Sequence, residues 1–228
     1  MSKNIVFPSR AERTFGWCYA LLGVEILPYL LNFTFALAGL TLSVAQLNLV
    51  YFGVNFLVVL TVFHKFLART GKDILNRTGW IFLVSVGLFF TYLLLSQLVG
   101  RLIFLLKPDF ANINDQNIAA VANSYYIPML ICTVFLVPIA EECLHRGAIF
   151  GGLYQRNIVL AYAVSTLIFA AVHINWLAPG DFATVALSLL QYIPAGLCLA
   201  AAYHISGSIA APVLIHMAVN AIGILALR

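Results

Sequence analysis

Seven stretches of this chain are apolar enough to cross a membrane: residues 15–40, 44–63, 80–106, 125–155, 158–177, 183–203 and 208–227. A hydrocarbon core of about 30 Å needs about 20 residues of helix. In lipid the backbone finds no water to bond, so helices are the default. Of the 228 residues, 63% are hydrophobic and 9% charged, against about 25% charged in a soluble domain. A soluble fold cannot bury that much apolar surface, and disorder requires the opposite composition. The expected fold class is all-α, a polytopic helical membrane protein with about seven transmembrane helices.

The basic residues predict an orientation. Lys3, Arg10, Arg13, Lys65, Arg69, Lys72, Arg77 and Arg156 fall on the N-terminal side; Lys107 and Arg228 fall on the other, with Arg101 near its boundary. The positive-inside rule then makes the N-terminus cytoplasmic. The net charge of +4 is accounted for by these loops and calls for no nucleic acid. The first stretch exceeds the h-region of a signal peptide, about 7–15 residues, so it is expected to remain as a span. Cys18, Cys132, Cys143 and Cys198 lack metal or disulfide spacing and read as buried apolar residues. The connection 107–124 is polar and long enough for a short surface helix. The fourth stretch, about 46 Å as a straight helix, is expected to protrude or to loosen near Pro138, which lacks a backbone donor.

Charges inside the apolar stretches carry the functional signal, because each costs about 2.5–3.5 kcal/mol or more near the bilayer centre. Glu141, Glu142 and Arg146 lie in one such stretch. Glu142 and Arg146 are i,i+4 in the favourable order for an ion pair. His173, His216 and Asn220 lie in later stretches. Glu141 is 16 residues before the turn at Asn157 and His173 is 16 after it, so both sit about 24 Å from that turn. His216 and Asn220 are about 15 and 21 Å from the same side. Four polar groups on three helices thus fall into one layer. A carboxylate near an imidazole can take a proton from water. An imidazole and an amide aimed at one point can hold an oxyanion. Glu25 reads as a near-interface residue or a partner for Arg101. Asn32, Asn48, Asn55, Gln97 and Gln191 read as interhelical hydrogen-bonders.

Three motifs lie in this order: Glu141-Glu142-x-x-x-Arg146, Phe169-x-x-x-His173 and His216-x-x-x-Asn220. Together they resemble the CAAX protease and bacteriocin-processing family of intramembrane proteases, the Abi family. The resemblance covers roughly 125–227 and divides the chain into a variable N-terminal transmembrane region, 1–124, and a catalytic bundle of the last four helices, 125–228. It implies an intramembrane endopeptidase in which Glu141 is the general base and His173 positions the water. His216 and Asn220 would form the oxyanion hole. Glu142 and Arg146 would support the site and Phe169 would pack it. His145 is an extra titratable group one turn from Glu141.

Other chemistries fit less well. His-Glu-x-x-His and Gly-x-Ser-Gly are absent, and Asp181 has no second intramembrane aspartate. Two imidazoles and a carboxylate are also a zinc ligand set, but Arg146 already supplies the compensating charge, so no cofactor is expected. An ion pathway would favour an inverted repeat, and none is evident. A non-catalytic immunity or regulatory protein and a zinc-dependent version of the same protease are the remaining alternatives. The expected partners are membrane lipid and a hydrophobic or lipidated peptide or protein. The expected location is the bacterial plasma membrane.

Overall fold

The computed structural model describes residues 5–174, 176 and 180–228, and among these there is no strand. Lys3 and part of the end of the fifth stretch (residues 175 and 177) lie outside the described residues. α1 is Arg10–Leu37, with one wide π-helical turn at Tyr19–Gly23. Ser9 starts it with a reciprocal capping box to Glu12. The next helix, Val44–Leu106, starts with a second box between Ser43 and Gln46 and loses helical geometry at Arg77 (φ −136°, ψ 20°). We treat it as α2 (44–76) and α3 (78–106). α4 is Ile113–Ser124, α5 Tyr126–Tyr154, α6 Ile158–Ala171, α7 Phe182–Ser206 and α8 Ala210–Leu225.

Straight, Val44–Leu106 would be about 95 Å long. Yet Phe52 and Lys107, near its two ends, line the same cavity. The chain therefore reverses at Arg77. Arg77 fixes that corner by donating to the Ser206 carbonyl (2.6 Å) and pairing with Asp73 (3.0 Å). Sequence reading ends one apolar stretch at 63 and begins the next at 80, with 64–79 as the connection between them. The residues are helical up to the corner, and the charges lie on a helix that runs past the last apolar turn. The reversal leaves seven helical segments, besides α4, among the described residues. Helices Arg10–Leu37, Val44–Leu106, Tyr126–Tyr154 and Phe182–Ser206 are long and apolar enough to cross a membrane, while α6 and α8 are shorter apolar helices. The chain is an integral membrane protein in architecture, and many large apolar side chains, such as Leu37, Phe82 and Phe104, face outward.

α4 occupies the polar connection, capped by Asn112, whose side chain accepts from the Asn114 and Asp115 amides. α5 is continuous through Pro138, but it widens into π-helical turns at Cys132–Leu136 and Cys143–Phe150. This is the loosening that a proline inside a span requires. α6 corrects the sequence reading: it ends at Ala171. The cause is His173. Its Nδ1 takes the Phe169 carbonyl at 2.6 Å, the acceptor its own backbone N–H would need to extend the helix. The N–H turns instead to Ala170, and the Ala171 carbonyl accepts from both the Ile174 amide and the Trp176 indole. α7 ends at Gly207, whose φ of 74° favours glycine.

Residues 5–8 form a strap across the end of the bundle near Arg77. Val6 donates to the Gly207 carbonyl at 3.1 Å, and Tyr203 donates its hydroxyl to the Val6 carbonyl. The Phe7 ring sits between Tyr154 and Tyr203. Glu12 accepts from the Phe66 amide at 3.0 Å and tethers the same end to α2. Of the five amides read as interhelical, Asn55 bonds the Tyr19 hydroxyl and Gln191 bonds Asn112 and Asp115. Glu25 forms no ion pair with Arg101 among the described residues.

Candidate active site

Glu142 and Arg146 lie in α5 with no exposed surface. Two unpaired charges there would be prohibitively desolvated, so the pairing is close. Arg146 Nη1 donates to Glu142 Oε1 at 3.0 Å, and Nη2 donates to the Gly196 carbonyl at 3.2 Å. A side chain at Gly196 would collide with Thr166, 2.5 Å from an added Cβ. Glycine therefore lets α7 approach closely enough to offer that carbonyl. The guanidinium also lies over the Phe169 ring, 4.4 Å from its centroid.

The same oxygen of Glu142 accepts from His216 Nδ1 at 2.8 Å. His173 Nδ1 faces the Phe169 carbonyl. Both partners are acceptors, so each Nδ1 carries the hydrogen and each Nε2 is left to face the site. Both Nε2 atoms lie 3.9 Å from Glu141 Oε2. That oxygen is buried and has no hydrogen-bond partner among the described residues. Asn220 is held by one amide hydrogen on the Thr133 carbonyl at 2.8 Å; the second hydrogen stays available. The structure therefore brings Glu141, Glu142, Arg146, Phe169, His173 and His216 together, with Asn220 on the shared cavity wall. His145 is buried and packs edge-on against Phe169.

Separations of 3.9 Å discriminate between occupants. A water hydrogen-bonded at about 2.8 Å to each of two such atoms subtends about 90° between them. A zinc ion with ligands at about 2.0–2.1 Å would subtend about 140°, far from a tetrahedral angle. The residues as placed do not fit a tetrahedral zinc.

Residues 123–222 match the family described as Rce1-like, type II CAAX prenyl endopeptidase. The match supports a likeness to the CAAX protease family over this segment. No curated protein and no solved structure matches the chain.

The matched segment walls a cavity of about 730 Å³, lined by Glu141, His173, His216 and Asn220. Residues outside the segment complete it: Tyr92, Val99 and Ile103 of α3 form one wall. Lys107, Asn114 and Asp115 stand at the far end. Sequence reasoning misses Tyr192, whose ring stacks on His173 with centroids 4.3 Å apart. Its hydroxyl accepts from Asn114 at 3.0 Å and donates to Asp115 at 3.4 Å, so α4 reaches the layer through two side chains. The only sequence signal for Tyr192 is its place one residue after Gln191. At the rim Lys107 bonds Asp181 and Thr184. Hydrogen bonds from the Thr184 side chain and backbone, then from Lys107, lower the Asp181 pKa from 3.8 to about 2. A depressed carboxylate keeps its contact above its ordinary range and loses it as pH falls through about 2. The rim is therefore indifferent to pH near neutrality.

Proposed function

We propose that the protein is an intramembrane endopeptidase that hydrolyses peptide bonds of membrane-associated peptides or proteins with a glutamate-activated water. The observation that carries this reading is the convergence of His173 Nε2 and His216 Nε2 on the unpartnered Glu141 Oε2, each at 3.9 Å. A water held there donates to Glu141, which acts as base, and to His173 Nε2. Its oxygen attacks the scissile carbonyl, and the water's proton passes by way of Glu141 to the leaving amine. His216 donates Nε2–H to the developing oxyanion beside the free amide hydrogen of Asn220. His216 can do so only as an imidazolium, because its Nδ1 hydrogen is committed to Glu142. The charges then close: two carboxylates against Arg146 and His216. Catalysis accordingly requires Glu141 ionised and His216 protonated. Residues 125–228 carry this chemistry, and residues 1–124 supply a wall. No metal enters the mechanism.

The test uses protein purified in detergent, a farnesylated C-terminal peptide and a pool of hydrophobic leader peptides. Cleavage is read by mass spectrometry. Glu141→Ala and His216→Ala are each expected to lower turnover by about 10²–10⁴-fold, and a zinc chelator to leave the wild type unchanged. Loss on chelation, restored by zinc, would replace the water mechanism by a metal one. Full biological activity of Glu141→Ala would favour a non-catalytic immunity or regulatory role.

A further inference from the structure

The cavity has a single polarity. From the Glu141–His173–His216 layer it runs to Lys107, Pro108, Phe110, Asn114, Asp115 and Leu227, all at the end where α4 lies. The opposite end is closed. Arg146 to Phe150 of α5 are buried there, and Pro8 is fully buried. Pro8 lies 3.3 Å from a Cβ built on Gly147, and Phe7 lies 2.9 Å from one on Gly151. The strap hydrogen bonds to Gly207 and Tyr203 hold that seal in place.

The two ends also differ in charge. The sealed end carries Arg10, Arg13, Lys65, Arg69, Lys72, Arg77 and Arg156, with the acids Glu12 and Asp73. The open end carries Arg101, Lys107 and Arg228 against Asp109, Asp115 and Asp181. Seven basic residues against three orient the sealed end toward the cytoplasm. We propose that the cavity opens to the extracytoplasmic face and that the enzyme acts on segments presented there. Its substrates on this reading are exported peptides, or stretches of membrane proteins just outside the outer leaflet, entering in extended form. A lipid-modified C-terminus displayed in the cytoplasm would meet the sealed end. The part of this proposal that concerns substrates rests on the hydrolase reading above; the part that concerns the opening does not.

The experiment is thiol labelling of intact bacterial cells with a membrane-impermeant maleimide. The background replaces Cys18, Cys132, Cys143 and Cys198 by alanine, and retained melting behaviour is the check on folding. Three single thiols are introduced. Asn117→Cys lies on exposed α4, and Lys72→Cys is exposed at the sealed end. Gly223→Cys faces the cavity, where an added Cβ meets nothing within 4 Å. Positions 117 and 223 are expected to label in intact cells at least ten-fold more than position 72, which labels only after permeabilisation. The reverse pattern overturns the orientation. Labelling of 117 but not 223 in intact cells overturns the outward opening. A second arm co-expresses a single-span reporter with the same apolar juxtamembrane segment placed outside or inside. Cleavage of the outside form alone is expected. Cleavage of the inside form alone, with labelling as expected, overturns the substrate assignment. Cleavage of neither, with labelling as expected, overturns the hydrolase and with it the substrate assignment, leaving the outward cavity standing.

Discussion

Glu142 Oε1 accepts from both Arg146 and His216, while Glu141 Oε2, on the adjacent residue, accepts from nothing among the described residues. Adjacent residues of one helix thus carry opposite burdens. Removing the Glu142 charge leaves Arg146 buried without a counter-charge, which costs about 3–5 kcal/mol. Glu142→Gln is therefore expected to lower the melting temperature in detergent by roughly 10 °C or more and to abolish turnover, since His216 loses the carboxylate that stabilises its imidazolium. Glu141→Gln is expected to leave the melting temperature unchanged or higher while lowering turnover by about 10²–10⁴-fold. Equal thermal effects of the two variants would contradict the division of roles. This contrast is partly legible in the sequence. Charges in apolar spans stand out because lipid makes them costly, and the i,i+4 spacing pairs Glu142 with Arg146. That His216 also joins Glu142 is not legible, because two helices 74 residues apart in the chain must first pack. Tyr192 is invisible for a different reason: it is one of 10 tyrosines and 17 phenylalanines, and nothing local marks the one that stacks on His173.

At the scale of elements, the widened turn in α5 has a definite consequence. In an ordinary helix the Thr133 carbonyl would accept from the amide of residue 137. Here that amide bonds Cys132 instead, and residue 138 is a proline without a hydrogen. Thr133 is left as a free acceptor, and Asn220 uses it. Pro138 thus orients a side chain on another helix. Pro138→Ala restores a competing donor. It is expected to lower turnover by about ten-fold or more, as small displacements of positioned groups do, without loss of thermal stability. A turnover equal to the wild type would show that Asn220 is held by other means. The sequence does expose the disruption at Pro138, since proline chemistry is local. It misplaces the end of α6, because a helix that stops when a histidine ring takes the carbonyl four residues back looks, residue by residue, like one that continues. It reads residues 64–79 as a connection, because charge density alone does not separate a solvated helix from a turn.

Taken as a whole, the molecule separates what closes it from what reacts. The strap lies at the end away from α4, and the cavity lies at the other. The span count and the polar layer follow from hydropathy and charge cost, so that much of the architecture is readable from the chain. The strap is not, since Phe7 and Pro8 belong to an unremarkable polar leader until the bundle gives them a surface. The separation makes a prediction about Phe7. Its ring packs 5.5 Å from Tyr154 and 6.1 Å from Tyr203, centroid to centroid, and against Gly151, but it is only partly buried. A fully buried phenylalanine truncated to alanine costs about 3–5 kcal/mol. Partial burial reduces this to roughly 1–3 kcal/mol, a drop of about 2–12 °C in melting temperature for a chain of this size. Phe7→Ala should therefore melt earlier. Below its melting transition it should cleave at the wild-type rate, because none of the residues that Phe7 touches lines the cavity. A fall in turnover at temperatures where the variant remains folded would mean that the sealed end and the reacting layer are coupled, and that the strap takes part in shaping the site.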